Sequence, residues 1–295
     1  AVIYRPPYHS TLLGINIVQL LKQQGFDAPR LLTLVCTDET ALTLAADSRV
    51  SAVLSGTGAF DAASLCHAAA GKPVAGGHRG SSSLYLAATA DWNAAVRDIA
   101  RHAFSHAGQC LEMPHIIITH ASVYDNQAFR NALIDAVSSI PCGPSWLEGT
   151  QTGLVSTPLT HEQKMLFTSM NADESWLVQP QCAGDDIQLW SPGVRAGITA
   201  DGFLTHCAQN VPAIGLLRVE SAEEAFAVQG KLAAGLYAAI YSEDGDEISE
   251  WEQKVHACNR SVNCIRPPYP GVLPSGNGHR STPMDGSRHL PAFLC

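Results

Sequence analysis

Val50-Ser51-Ala52-Val53-Leu54 is an apolar run, and Ser55-Gly56-Thr57-Gly58 follows it at once, ahead of a helical pattern from about Phe60 to Ala70. A short apolar run without polar alternation describes a strand buried on both faces, which is the pattern of a parallel sheet covered by helices. The same rhythm extends outward in both directions. Upstream, Val2 to Tyr4 reads as a strand stopped by Pro6-Pro7. A helix follows from a Ser10 or Thr11 cap through Gln24, with Leu12, Leu13, Ile17, Leu20 and Leu21 at helical spacing. Leu31 to Cys36 is a second strand, and Asp38 caps a helix to Ala46. Downstream, Lys72 to Gly77 and Leu84 to Ala87 read as strands. Asp91 to Ser105 is a long helix, Ile116 to Thr119 a strongly apolar strand and Asp125 to Val137 a helix. Helices near 160–172, Glu220 to Gly230 and Asp246 to Ala257, with a strand at Leu236 to Tyr241, continue the alternation. The fold class is α/β.

The 295 residues carry 18 Lys+Arg and 27 Asp+Glu, a net charge of −9, with 46% hydrophobic and 15% charged residues. That composition supports a large core, and the acidic balance argues against binding a nucleic-acid backbone. No apolar run approaches the roughly 20 residues that cross a bilayer. Nine cysteines are scattered without a C-x-x-C pair, so zinc-ribbon and thioredoxin-type motifs are absent, and the reading is a reducing, cytoplasmic compartment with mostly buried thiols. There is neither a signal-peptide pattern nor an initiator Met, so the expectation is a processed N-terminus or a start within a longer protein.

Several stretches carry chemistry. The N–H groups of Gly56 and Thr57 at a helix start could hold a phosphate, although the spacing matches neither G-x-G-x-x-G nor the P-loop, and an ordinary βα turn is the plainer reading. Gly76 to Ser83 is a Gly/Ser-rich loop in which His78 and Arg79 could meet anions or simply face water. Gly108-Gln109-Cys110 places a thiol in a loop between a long helix and a buried strand; it is a nucleophile if its surroundings, such as His106 and His115, stabilise the thiolate, and an inert buried thiol otherwise. His102 and His106 stand one helical turn apart but lack an identifiable third metal ligand. No G-x-S-x-G elbow occurs.

The order of these pieces resembles the aldehyde dehydrogenase superfamily. Val2-Ile3-Tyr4-Arg5-Pro6 is similar to its strand ending in Lys-Pro-Ser-Glu, Leu54-Ser55-Gly56-Thr57-Gly58 to its Phe-Thr-Gly-Ser-Thr, Val74-Ala75-Gly76-Gly77 to its Glu-Leu-Gly-Gly, and Gly108-Gln109-Cys110 to its Gly-Gln-x-Cys. Further on, residues 199–213 resemble the segment around Glu-x-Phe-Gly-Pro-Val, residues 235–241 the Tyr-Gly-Leu-Ala-Ala strand, and Gly271 to Gly278 the Gly-Val-Lys-x-Ser-Gly-x-Gly loop. The tail through Phe293 resembles the ketoglutarate-semialdehyde branch. The resemblance implies a partial Rossmann-like cofactor-binding half over residues 1–105, a thiol-bearing catalytic-like α/β half over 106–240, and a return segment and tail over 241–295. It further implies Cys110 as nucleophile, NAD or NADP held by Arg5, Gly56 and Thr57 with Ser275 and Gly276 near the cleft, an aldehyde substrate, and a homo-oligomer or a larger parent chain.

The departures bear on function. The family's N-terminal part, with the Asn that donates to the oxyanion, has no counterpart here. The family's general-base Glu falls on Val74, its ribose-holding Glu on Ala208, its cofactor Lys on Arg5, and the following Glu near Tyr8. Cys110 follows Gln109 directly, so without a gap Leu111 takes the nucleophile position, and with a one-residue deletion Cys110 does. Two readings follow: an oxidoreductase that oxidises an aldehyde with NAD(P) through a Cys thiohemiacetal, or a catalytically inactive member of the family kept as a binding or structural module.

Overall fold

The computed structural model describes residues 1–26, 28–55, 62–76, 82–110, 113–183, 188–202, 211–232, 237–257 and 259–265. The chain forms two compact units, one from residues up to 77 and the other from residue 78 onward.

In the first unit, β1 (Val2–Tyr4) pairs in parallel with β2 (Leu31–Thr33) across α1 (Thr11–Gln23), and β3 (Val53–Ser55) pairs in parallel with β4 (Val74–Gly76) across α3 (Ala62–Ala69). These are two short βαβ crossovers, as the alternation in the sequence requires. Between them runs α2 (Asp38–Ala46), whose N-cap is Thr37 rather than Asp38; the Thr37 hydroxyl accepts from Thr40 N at 3.3 Å. Lys72 closes the other end of α2, its Nζ donating to Ala45 O at 2.7 Å and Asp47 O at 2.6 Å. Helix α1 buries only Gly14 and Val18. A Cβ on Gly14 would stand 2.5 Å from Pro6 Cβ, so only glycine lets the helix lie this close to β1. Leu12 (78%), Leu13 (62%), Ile17 and Leu20 (58%) are exposed, because the small sheets of this unit cover only the narrow Gly14–Val18 face.

The second unit holds a seven-stranded sheet in the order β11-β10-β5-β6-β9-β8-β7. Its strands are β5 (Ser82–Leu86), β6 (Ile116–His120), β7 (Ser175–Val178), β8 (Gly193–Ala196), β9 (Ala213–Val219), β10 (Tyr237–Tyr241) and β11 (Asn259–Val262). All neighbours are parallel except the edge pair β7–β8. Successive side chains of β6 go to opposite faces. Ile116 and Ile118 join a cluster with Phe226 of α8 (Ala222–Lys231) and Trp251 of α9 (Gly245–Lys254), whereas Ile117 joins one with Ile99 of α4 (Trp92–His102), Val123 of α5 (Ala121–Tyr124) and Leu133 of α6 (Gln127–Ser138). Tyr85 against Leu84 and Leu86 repeats the alternation on β5. Helices cover both faces, which is why the apolar runs Leu84–Leu86 and Ile116–Ile118 do not alternate with polar residues. Helix α4 starts at Trp92, one residue later than expected, because Asp91 is its N-cap and accepts from Ala94 N at 3.1 Å.

The division at 77 differs from the boundary expected near 106. Strand β5 sits between β10 and β6, so its hydrogen bonds tie residues 82–86, and α4 behind them, to the large sheet. Strand β11 likewise joins this sheet at its edge.

At the β7–β8 edge, Arg195 and Glu174 form a buried ion pair, with 2.6 Å between Nη2 and Oε2 and side chains 4% and 2% exposed. Arg195 Nη1 also donates to Leu166 O at 2.9 Å and Nη2 to Ser169 O, while Glu174 accepts from Asn171 N at 2.8 Å and Nδ2 at 3.2 Å. The pair ties the segment after α7 (His161–Thr168) to β8.

Candidate active site

Cys110 lies between α4 and β6, beside the amino-terminal ends of β5, β6 and β9. After α4 the chain passes through buried Ala103 and Phe104 into a short 3-10 turn, Ser105–Gly108. Within it His106 (φ 54°, ψ 36°), Ala107 (φ 57°, ψ 38°) and Gly108 (φ 69°) are consecutive left-handed residues. The left-handed region costs an L-residue about 1–2 kcal/mol, so the surroundings must hold this turn in place.

They do so from several directions. His115 Nε2 lies 2.9 Å from Gly108 O. Gln109 Nε2 donates to His106 O at 2.7 Å and Leu154 O at 3.2 Å, and its Oε1 accepts from Ser156 N at 2.7 Å. The buried Thr152 hydroxyl donates to Phe104 O at 3.2 Å. Gly108 itself admits no side chain: a Cβ would stand 2.2 Å from Val211 O. His115 is anchored in turn by the sheet, its N–H donating to Ser82 O and its carbonyl accepting from Gly215 N. Cys110 comes two residues after Gly108. Its carbonyl accepts from Met113 N at 3.2 Å, and its side chain is a half-buried thiol packed on the α4–α6 cluster.

Burial pushes the His115 pKa below its usual 6.5, against hydrogen bonds to the Gly108 and Met113 backbone that push it up. The ring is neutral at pH 7, with the proton on Nε2 because the Gly108 carbonyl only accepts. A neutral ring lends no positive charge to a thiolate. What the structure shows of His115 is its hold on the backbone of the turn. His106 is exposed, with Nδ1 3.1 Å from Ser105 Oγ. His102 ends α4, and burial lowers its pKa too. Among the described residues no three His, Cys, Asp or Glu side chains come together to hold a metal, and no helix is long and apolar enough to cross a membrane.

In the first unit, Arg5 follows β1. Its Nε donates to Cys36 O at 3.2 Å and its Nη2 pairs with Asp38. Val74 is half-buried on β4 opposite Val53, and Tyr8 is exposed. Gly56, Thr57, His78, Arg79, Leu111, Ala208, Ser275 and Gly276 lie outside the described residues.

Sequence reasoning singled out neither Gln109 nor Thr152 as site residues. Their partners, Leu154, Ser156 and Phe104, lie 45, 47 and 48 positions away, and no local pattern announces such contacts.

The sequence matches the aldehyde dehydrogenase family over residues 1–289. It is 26% identical over 186 residues to a vanillin dehydrogenase of Corynebacterium glutamicum, which covers 62% of this chain and 37% of that protein. Among solved structures, Proline Utilization A from Corynebacterium freiburgense superimposes with a TM-score of 0.88 at 24% identity, over 99% of this chain and 31% of that one. A 3,6-anhydro-L-galactose dehydrogenase superimposes with a TM-score of 0.84 at 17% identity, over 97% of this chain and 62% of that one. The chain thus spans a little over a third of the length of the curated relatives it matches. A doubly covered parallel sheet, a rigid Gly-Gln-Cys turn at its amino edge and a family match over nearly the whole length agree: the chain belongs to the aldehyde dehydrogenase family.

Proposed function

We propose that this chain carries the thiol-bearing part of an NAD(P)-dependent aldehyde oxidoreductase, with Cys110 as the nucleophile. One observation carries the reading. The backbone leading to Cys110 is held in three left-handed residues by His115, Gln109 and Val211, and strain of that kind persists where a group must be aimed. In this reading the Cys110 thiolate adds to the aldehyde carbon, and the carbonyl π pair moves to oxygen, giving a thiohemiacetal. Its collapse expels a hydride and leaves a thioester. Water then cleaves the thioester, releasing the carboxylic acid and restoring the thiol.

A bound nicotinamide dinucleotide supplies the two-electron acceptor for that hydride. The chemistry of Arg5 fits the hydroxyl and phosphate oxygens of such a cofactor; Gly56, Thr57, Ser275 and Gly276, which the family resemblance adds to the cofactor set, lie outside the described residues. Arg5 is already engaged by Asp38 and Cys36 O, so a dinucleotide must share or displace Asp38. Val74 accepts no proton, which makes hydrolysis of the thioester the slow half of the reaction.

The test is calorimetry with NAD and NADP on the purified chain, alongside aldehyde turnover by wild type and Cys110→Ala. Binding together with turnover that vanishes in Cys110→Ala supports the reading. Turnover unchanged in Cys110→Ala removes the nucleophile assignment, and absence of both binding and turnover removes the oxidoreductase reading.

A further inference from the structure

We infer that His115 is a positioning residue: its imidazole fixes the left-handed 106–108 turn and, through that turn, the direction in which Cys110 is presented. The inference rests on the reading of Cys110 as nucleophile. Five observations lead to it.

His115 is 2% exposed, a place where a polar ring persists only if it is hydrogen-bonded. The ring reaches seven residues back to Gly108 O, the carbonyl of the last left-handed residue, at 2.9 Å. Its own backbone is built into the sheet, donating to Ser82 O at 3.1 Å and accepting from Gly215 N at 2.9 Å, so the ring stands on a rigid base. The Val211 carbonyl also closes on Gly108, within 2.2 Å of where a Cβ would be. The turn is therefore gripped by the His115 ring and the 211–212 backbone, with Gln109 bracing it to Leu154 and Ser156. Only Gln109 separates the gripped carbonyl from Cys110. A rotation about the Gly108–Gln109 linkage would swing the thiol away from its present bed on the α4–α6 cluster. Burial keeps the ring neutral, which suits a fixed N–H donor rather than an acid or base.

The experiment uses the full chain as wild type, His115→Leu and His115→Gln, the last retaining an N–H donor. Hydrogen exchange reads the turn and iodoacetamide labelling followed by peptide mass spectrometry reads Cys110, normalised to the exposed Cys66 and Cys182 thiols. Losing the bond to a buried carbonyl should speed exchange at the 106–110 amides about tenfold or more in His115→Leu, while β6 amides keep wild-type protection. The normalised Cys110 rate should change about threefold or more, and His115→Gln should restore both.

Exchange and labelling both unchanged in His115→Leu overturn the inference, as does deprotection of the turn and β6 together, which marks a general structural role. Turn amides freed with Cys110 labelling unchanged overturn the link to the thiol, and with it the choice of Cys110, while leaving the clamp on the backbone intact. Should His115→Leu not fold, wild type and His115→Gln decide together: 106–110 amides that exchange as fast as an open loop in wild type refute the clamp, and amides protected like β6 in both support it.

Discussion

Replacing Gly108 with alanine adds one methyl group to the turn before Cys110, and its cost can be built from two observations. The residue has φ +69°, where an L side chain is strained by about 1–2 kcal/mol. The new Cβ would also stand 2.2 Å from Val211 O and 2.8 Å from Val211 C, whereas ordinary contact begins at 3.4 Å. Both atoms are backbone, so no rotamer change relieves the overlap, and a tightly packed site forced apart typically loses a further 1–3 kcal/mol, about 2–5 kcal/mol in all. Gly149→Ala is the matched control, because Gly149 has φ +84° with nothing within 4 Å of its would-be Cβ. It should lose only the conformational part, about 1–2 kcal/mol. Urea unfolding followed by tryptophan fluorescence measures both. If Gly108→Ala lies within about 0.5 kcal/mol of Gly149→Ala, the turn is not gripped by the 211–212 backbone and the reasoning fails. The same sample should show altered iodoacetamide labelling of Cys110, and Gly149→Ala should not.

Two other outcomes follow from buried charge. Glu174→Ala leaves the buried Arg195 guanidinium without its carboxylate and should cost about 3–5 kcal/mol in urea unfolding, with a double Glu174→Leu, Arg195→Met variant recovering much of it; a loss below about 1 kcal/mol refutes the pair's role. His115 and His102 both have pKa values lowered on folding, so the unfolded chain binds more protons. Their contribution to stability is complete above the ordinary value of 6.5 and is lost as pH falls below it. The melting temperature should therefore drop between pH 7 and pH 5, and less steeply in His115→Gln; a profile flat in wild type contradicts the buried neutral ring.

Much of the fold was legible along the chain. Leu84 to Leu86 and Ile116 to Ile118 contain no polar position, and a strand of that kind must be covered on both faces, so a helix-covered parallel sheet follows from composition alone. The Asp91 cap on α4 is a local contact that the sequence reading passed over, placing Asp91 inside the helix rather than ahead of it. The candidate site was half legible. Gly108-Gln109-Cys110 stood out as a thiol in a loop, and Gly108 is a residue that permits a left-handed backbone. Nothing nearby marks Ala107 as left-handed, since alanine rarely adopts that conformation, and His106 is marked only by the modest enrichment of histidine there.

Sequence by itself thus determined the alternation of strands and helices, the apolar faces and the family to which the chain belongs, since each is written in neighbouring residues. Tertiary structure decided the rest. It placed β5 in the second unit, because a strand joins whichever partners complete its hydrogen bonds, here β6 and β10. It left Leu12, Leu13 and Leu20 exposed, because helical spacing says which side chains share a face but not whether a surface exists to receive them. And it set the His115 ring on the Gly108 carbonyl, because sequence proximity to Cys110 does not say where a ring points and only the packed sheet does.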